Sequence, residues 1–276
     1  MKKFLTDMHT HSKYSHDGQA SLDEMLATAQ KLGVDFYGTS EHFDYDYDLT
    51  KLPKEELARI TNSSPEEYFH GARHLQEDYE GCMNVAVGAE FGYSDDEAVQ
   101  GRYAQTYEKY RPDYVINSVH GWKGEDFARY DFGGTSKTEL YRNYLRLVRR
   151  SLDAPYPYDI VGHIGYIMRY VSFEDRLIML EEFGEEIDDI LRAIIQKGKI
   201  LEVNTATKML PVRSLPDEAI VRRYYELGGR QISYGSDAHF PERIMDKRDD
   251  VVEMLKTIGF THITLPFRGE YIKVEL

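Results

Sequence analysis

The segment FLTDMHTH, residues 4–11, contains the pattern on which the interpretation of the whole chain depends. A short apolar run typical of a buried strand leads directly into two histidines, His9 and His11. Six further apolar runs are each followed by a polar or metal-competent residue. The seven predicted strands are residues 4–8, 36–40, 85–89, 114–118, 159–162, 200–203 and 232–235.

Segments with helical spacing separate these strands. Ser21 and Ser64 each open a capping-box pattern, with Pro65 at the first helical position, and Gly33 and Gly198 have the position of helix ends. Alternating strands and helices predict a parallel sheet, and about seven such units fit an α/β barrel. An open doubly wound sheet is the alternative, although no glycine-rich dinucleotide or phosphate loop follows any predicted strand.

Size and composition fit one soluble domain covering residues 1–276. Hydrophobic residues make up 41% of the chain, which is enough for a sizeable core, and no apolar run is long enough for a membrane span. The first motif begins too early for a signal peptide to precede it, so we expect a cytoplasmic protein. The single cysteine, Cys82, excludes an intrachain disulfide and a zinc site built from cysteines.

The net charge is −14 and the isoelectric point is about 5.2. A protein that binds duplex DNA broadly needs a basic face, and the sequence shows none, so we expect no nucleic-acid partner. A small phosphate ester remains compatible with this charge, because bound cations dominate the local field and remote carboxylates are screened.

The polar residues after the predicted strands are of the types that bind metal ions. In a parallel barrel the carboxyl ends of the strands share one face, so these residues are expected to converge there. They are Asp7, His9, His11, Glu41, His42, Glu90, His120, His163, Asn204, Asp237 and His239. Imidazole suits Zn, Fe and Mn, and carboxylates can bridge two ions. The set is larger than one tetrahedral ion can use, which favours a multinuclear site.

Several short motifs resemble those of the polymerase and histidinol phosphatase (PHP) superfamily. They are DMHTH at 7–11, SHDG at 15–18, SEH at 40–42, GAE at 88–90, SVHG at 118–121, GHIG at 162–165, EVNT at 202–205 and GSDAH at 235–239. Within the superfamily the chain most resembles stand-alone histidinol-phosphate phosphatases. The resemblance implies a distorted (βα)7 barrel resembling the TIM barrel, with a metal site at the carboxyl ends of the strands.

By the same resemblance, up to three divalent metal ions are expected, with Zn favoured over Mn or Fe. The first ion would take His9, His11, Glu90 and Asp237, the second Glu90, His120 and His163, and the third Asp17, His42 and His239. Asp17 lies where some relatives have histidine, and the neighbouring His16 competes with it. We favour Asp17 as the ligand.

Substrate binding is assigned to Arg169, His16 and Asn204, since arginine can bind phosphate through two parallel hydrogen bonds. The alternative for Arg169 is an exposed helix position. Asp237, His239 and His42 are the candidate groups for proton transfer to the leaving oxygen.

The activity that the resemblance implies is hydrolysis of L-histidinol phosphate to L-histidinol and phosphate. A phosphoesterase acting on nucleotides or another small phosphate ester is the alternative. A binding module with a decayed metal site is disfavoured, because each expected ligand position holds a competent residue. The sequence leaves the oligomeric state open.

The ligand pattern predicts more than one metal ion per chain, with three as the maximum in the cluster. Elemental analysis of active protein measures this ratio directly. Full activity in a metal-free preparation would contradict the prediction.

Overall fold

The computed structural model describes residues 4–51, 54, 57–58 and 64–276. A sheet of seven parallel strands forms its centre, and neighbouring strands are hydrogen-bonded in the order β1-β2-β3-β4-β7-β8-β9. These strands are β1 Thr6–Asp7, β2 Phe36–Phe43, β3 Asn84–Gly92, β4 Val115–Ser118, β7 Ile160–Val161, β8 Ile200–Asn204 and β9 Ile232–Gly235. Each of these strands overlaps one of the seven predicted strands.

Hydrogen bonds between the first and last strands close this sheet. The Met8 amide donates to the Tyr234 carbonyl at 3.3 Å. Just beyond the strand ends, the Asp237 amide donates to the His9 carbonyl at 2.8 Å, and the His11 amide donates to the Ala238 carbonyl at 2.8 Å. The sheet is therefore a nearly closed barrel, as predicted, and the open doubly wound alternative is wrong.

Seven α-helices with bounds inside the described ranges cover the outside of the barrel. They are α1 Leu22–Leu32, α2 Pro65–Asp78, α3 Glu97–Tyr110, α4 Lys137–Ser151, α5 Leu180–Gln196, α6 Glu218–Glu226 and α7 Arg248–Ile258. Ser21 caps α1 in a complete capping box, and Gly33 ends this helix in the left-handed conformation, as predicted. Ser64 caps α2 by accepting from the Glu67 amide. None of these helices combines the length and apolar character needed to cross a membrane.

Two hairpins lie outside the barrel sheet and were not predicted as hairpins. Residues Gly121–Trp122 (β5) pair with Glu125–Asp126 (β6) in the loop after β4. Residues His262–Phe267 (β10) pair with Glu270–Glu275 (β11) at the carboxyl terminus. The first hairpin lies at the carboxyl end of β4, since it follows directly from the segment that contains His120.

Buried tyrosines bind the backbone near the carboxyl ends of the strands. The hydroxyl of Tyr103 donates to the Gly92 carbonyl at 2.6 Å, and the hydroxyl of Tyr114 donates to the Met8 carbonyl at 2.8 Å. Both side chains are fully buried, so each hydroxyl satisfies a carbonyl that would otherwise be costly to bury. These bonds help to hold the strand ends that carry the site.

Candidate metal and phosphate site

The predicted ligands lie together at the carboxyl ends of the barrel strands. His9 and His11 follow β1, His120 follows β4, His163 follows β7, and Asp237 and His239 follow β9. His42 and Glu90 lie inside strands instead, because β2 and β3 extend to Phe43 and Gly92, beyond their predicted ends at residues 40 and 89. The extension leaves both side chains on the same face of the barrel as the others.

The carboxylate of Glu90 occupies the centre of the cluster and is fully buried. Its Oε1 lies 3.0 Å from His120 Nε2 and 2.9 Å from His163 Nε2. Its Oε2 lies 2.8 Å from His42 Nδ1, 3.3 Å from His9 Nε2 and 3.5 Å from His11 Nε2. The two oxygens of this carboxylate thus face different histidines, two at Oε1 and three at Oε2, which is an arrangement able to bridge two cations.

Asp237 completes the first predicted ligand set. Its Oδ1 lies 3.4 Å from His11 Nε2 and 3.8 Å from His9 Nε2. The backbone of Asp237 has a φ of 54°, a left-handed conformation that is uncommon for a residue other than glycine and is frequent at functional sites.

The third predicted set lies at the more exposed side of the cluster. Asp17 Oδ2 lies 3.0 Å from His239 Nε2, and Asp17 Oδ1 lies 3.7 Å from His42 Nε2. The ring centroid of His16 lies 5.6 Å from that of His42. Asp17 therefore directs its carboxylate oxygens at two of the predicted ligands, while His16 lies beside the ring of His42.

Several ligand atoms of the cluster are buried without a hydrogen-bond partner among the described residues. They are His9 Nε2, His11 Nε2, His42 Nδ1, His239 Nε2 and Glu90 Oε2. Buried polar atoms are almost always hydrogen-bonded, so imidazole and carboxylate atoms that face one another without making hydrogen bonds are a donor set that fits a bound cation. Ligand atoms also lie within 4.8 Å of one another in four groups: His9–His11–Glu90, His9–His163–Asp237, His42–Glu90–His120 and His11–His42–His239. The cluster has the donor set of a metal-binding centre.

The electrostatics of the cluster agree with this interpretation. Burial opposes ionisation of Glu90, but the charges of His120 and the other histidines outweigh it and hold the pKa of the carboxyl well below its usual range. Burial also lowers the pKa of His42, but Glu90 and Asp17 outweigh it and raise this pKa to about 9. Burial is the main cause that lowers the pKa of His11. Carboxylate charge is thus balanced by proton-bearing imidazoles, and divalent cations can replace those protons.

Carboxylates outside the predicted set orient two of the histidines. The Nδ1 of His9 donates to Glu202 Oε1 at 2.6 Å, and the Nδ1 of His120 donates to Asp44 Oδ1 at 2.8 Å. A hydrogen bond at Nδ1 fixes the tautomer and leaves Nε2 free to bind a metal ion. Glu202 also accepts from the backbone amide of His163 at 2.7 Å, so it positions ligands from two strands.

Two glycines make room for these carboxylates. A Cβ atom at Gly235 would lie 2.4 Å from Glu202 Oε1, and one at Gly92 would lie 1.9 Å from Asp44 Oδ1. Any side chain at either position would displace the carboxylate from its histidine. The close approach of Glu202 to Gly235 and of Asp44 to Gly92 therefore explains why glycine occupies both positions.

Sequence reasoning assigned no role to Asp44 and none of this kind to Glu202. Glu202 is an acidic residue inside a strand whose other residues up to Val203 are apolar, and it lies two positions before Asn204, so both point to the same face. That pattern was the available signal. Asp44 gave none, because its partner His120 is 76 residues away in the sequence.

The predicted substrate-binding residues Arg169 and Asn204 lie next to the cluster. Arg169 ends a short 3-10 turn, Tyr166–Arg169, and its side chain is only 4% exposed, so the alternative of an exposed helix arginine is wrong. One terminal nitrogen of Arg169 lies 3.2 Å from Asp237 Oδ2 and 3.3 Å from Asn204 Oδ1. The guanidinium lies 4.8 Å from the centre of the Tyr166 ring.

Comparison with known proteins identifies the family. Residues 7–206, well over half of the chain, match the sequence model of the PHP domain. The chain belongs to the PHP domain family. The resemblance to the PHP superfamily is thereby confirmed.

Curated relatives of this PHP protein share its full length. Histidinol-phosphatase from Lactococcus lactis is 28% identical, over 98% of this chain and 96% of the relative. A Thermotoga maritima protein named probable histidinol-phosphatase is also 28% identical, over 95% of each chain. The crystal structure of the Lactococcus lactis histidinol phosphate phosphatase, complexed with zinc, L-histidinol and phosphate, matches with a TM-score of 0.83 at 25% identity. That match covers 98% of this PHP protein and 99% of the other chain and confirms the predicted barrel.

Replacement of Glu90 tests the centre of the cluster. Glu90→Ala removes the carboxylate that faces five histidines, so we expect the loss of at least one metal ion per chain and of most catalytic activity. Elemental analysis and circular dichroism measure metal content and fold. Glu181→Ala, at an exposed position on α5, is the control and should change neither. Near wild-type metal content in Glu90→Ala would show that the ions bind elsewhere.

Proposed function

We propose that this PHP protein is a metal-dependent phosphate monoesterase that hydrolyses L-histidinol phosphate to L-histidinol and inorganic phosphate, a step of histidine biosynthesis. The observation that supports the proposal most strongly is the juxtaposition of Glu90, facing five histidines, with the buried guanidinium of Arg169. The names of the full-length relatives, and the zinc, L-histidinol and phosphate in the Lactococcus lactis structure, support the same substrate.

The proposed metal centre holds up to three divalent ions, with Zn favoured and Mn or Fe as alternatives. Its ligands are His9, His11, Glu90 and Asp237 for the first ion, Glu90, His120 and His163 for the second, and Asp17, His42 and His239 for the third. The distances within each set support the assignment. When bound, such ions activate water near neutral pH and neutralise charge on the phosphoryl group.

Arg169 is the proposed clamp for the phosphate. Its Nε is buried and has no hydrogen-bond partner among the residues that the structure describes, while Asp237, Asn204 and the Tyr166 ring hold the rest of the guanidinium. A donor fixed in advance needs little reorganisation as charge redistributes on the phosphoryl oxygens. Asn204 then acts mainly by holding Arg169, and His16 is proposed to contact the substrate at the opening.

Departure of the ester oxygen as an alkoxide requires a proton. Asp237, His239 and His42 are the proposed donors, or the groups that hold the donor water. They share one side of the site, since His239 Nδ1 lies 3.6 Å from Asp237 Oδ1 and the rings of His42 and His239 lie 5.6 Å apart. His239 is the most exposed of the three, with 21% of its side chain accessible, so it is best placed to exchange a proton with water.

Replacement of Arg169 by methionine should reduce turnover without removing metal. The loss of a preorganised donor should cost about 2–4 kcal/mol of transition-state stabilisation, or about 30- to 1,000-fold in kcat/KM. Metal content should stay unchanged, because Arg169 is not a ligand. The matched variant His120→Ala should lose both metal and turnover. Parental kcat/KM in Arg169→Met would assign the phosphate clamp to another residue.

Substrate preference separates the proposed reaction from its alternative. We expect kcat/KM for L-histidinol phosphate to exceed that for nucleotides, phosphodiesters and single-stranded DNA, measured with the same zinc-loaded preparation. A higher kcat/KM for a nucleotide or another small ester would support the alternative PHP phosphoesterase instead.

A further inference from the structure

Glu41 is a buried carboxylate beside the ligand His42, and its oxygens are occupied by hydrogen bonds. The backbone amide of Ser12 lies 3.0 Å from each oxygen, and the Ser12 hydroxyl donates to Oε1 at 2.7 Å. The hydroxyls of Thr39 and Ser15 donate at 3.0 Å and 2.5 Å. This carboxylate already accepts hydrogen bonds from four groups, so it anchors the loop that contains Ser12 and Ser15. Its oxygens are therefore not directed at a metal ion, which explains why Glu41 is outside the proposed ligand sets although it is next to His42.

Ser15 connects this anchor to two metal ligands. Its single hydroxyl proton goes to Glu41, so the oxygen accepts from the backbone amide of His42 at 3.0 Å and from Nδ1 of His11 at 3.1 Å. His11 then carries its proton on Nδ1, and its Nε2 is free to face Glu90 and Asp237.

The same logic governs the other oriented histidines. His9 and His120 each donate from Nδ1 directly to a carboxylate, Glu202 and Asp44 respectively. For His11, the hydroxyl of Ser15 lies between Nδ1 and the carboxylate of Glu41. Such outer partners fix ring orientation and typically change metal affinity about 10- to 100-fold when removed.

We propose that Glu41, acting through Ser15, is a positioning residue that sets the zinc affinity of the site by fixing the tautomer and orientation of His11. This inference rests on the metal centre of the proposed function. It assigns a role in metal binding to two residues that lie outside the predicted ligand set.

Ser12 provides a matched control for the hydrogen-bond relay that runs from Glu41 through Ser15 to His11. Ser12 and Ser15 donate hydroxyl protons to the same carboxylate from the same loop, and both are buried. The Ser15 hydroxyl also hydrogen-bonds His11, whereas the hydrogen bonds described for the Ser12 hydroxyl do not include His11. A purely structural role of Glu41 in holding the loop predicts similar effects of Ser12→Ala and Ser15→Ala.

The experiment measures zinc dissociation constants by chelator competition for the full-length chain and its variants. Ser15→Ala should weaken the zinc that depends on His11 about 10- to 100-fold, while Ser12→Ala stays close to the parent. Glu41→Gln, which keeps the side-chain volume, should weaken zinc in the same direction and replaces Ser15→Ala if that variant does not fold. The double variant Ser15→Ala with Glu41→Gln should bind zinc about as well as the weaker single variant, because both changes interrupt one relay.

Two outcomes would overturn the inference, and they are distinguishable. Equal weakening in Ser12→Ala and Ser15→Ala, with the parent binding zinc normally, would reduce Glu41 to a loop anchor and leave the proposed function intact. A parent chain that binds no zinc would overturn the metal centre itself, and the relay with it.

Discussion

The arrangement of the site depends on one buried carboxylate. Glu90 faces His9 and His11 through one oxygen and His120 and His163 through the other. An ionised carboxylate without solvent is costly unless it is paired, and so are imidazoles whose Nε2 atoms lack partners. Divalent cations between these atoms would satisfy both requirements. Substrate phosphate would then meet a centre whose charge differs in sign from the −14 of the whole chain.

The barrel makes this concentration of ligands possible because strands distant in sequence end at one face. Closure between β1 and β9 places His9 beside Asp237, through the hydrogen bond from the Asp237 amide to the His9 carbonyl. Around the ligands, Glu202, Asp44 and the Ser15–Glu41 pair fix three imidazole rings. Gly92 and Gly235, at the strand ends, leave space for the carboxylates of Asp44 and Glu202, which hydrogen-bond the ligands from outside the cluster. Ligand geometry and fold are therefore coupled.

The sequence was sufficient to predict the barrel and to name the residues of the cluster, because most of them follow or end an apolar run, while Asp17 was named through the family resemblance. It was not sufficient to identify the carboxylates that orient the ligand histidines. Asp44 and Glu202 gain their roles from partners 76 and 193 positions away, a proximity that only the closed barrel creates. The lengths of β2 and β3 were also underestimated, since polar residues such as Glu41 and Glu90 interrupt the apolar runs while strand pairing continues through them.

Anomalous diffraction at the zinc edge, from crystals of the zinc-loaded protein, tests the central claim most directly. The account predicts at least two zinc peaks separated by about 3.5–4 Å, with the two oxygens of Glu90 directed at different peaks. A further peak would lie near Asp17, His42 and His239. Zinc bound away from Glu90, for example between the exposed His70 and His74 of α2, would contradict it.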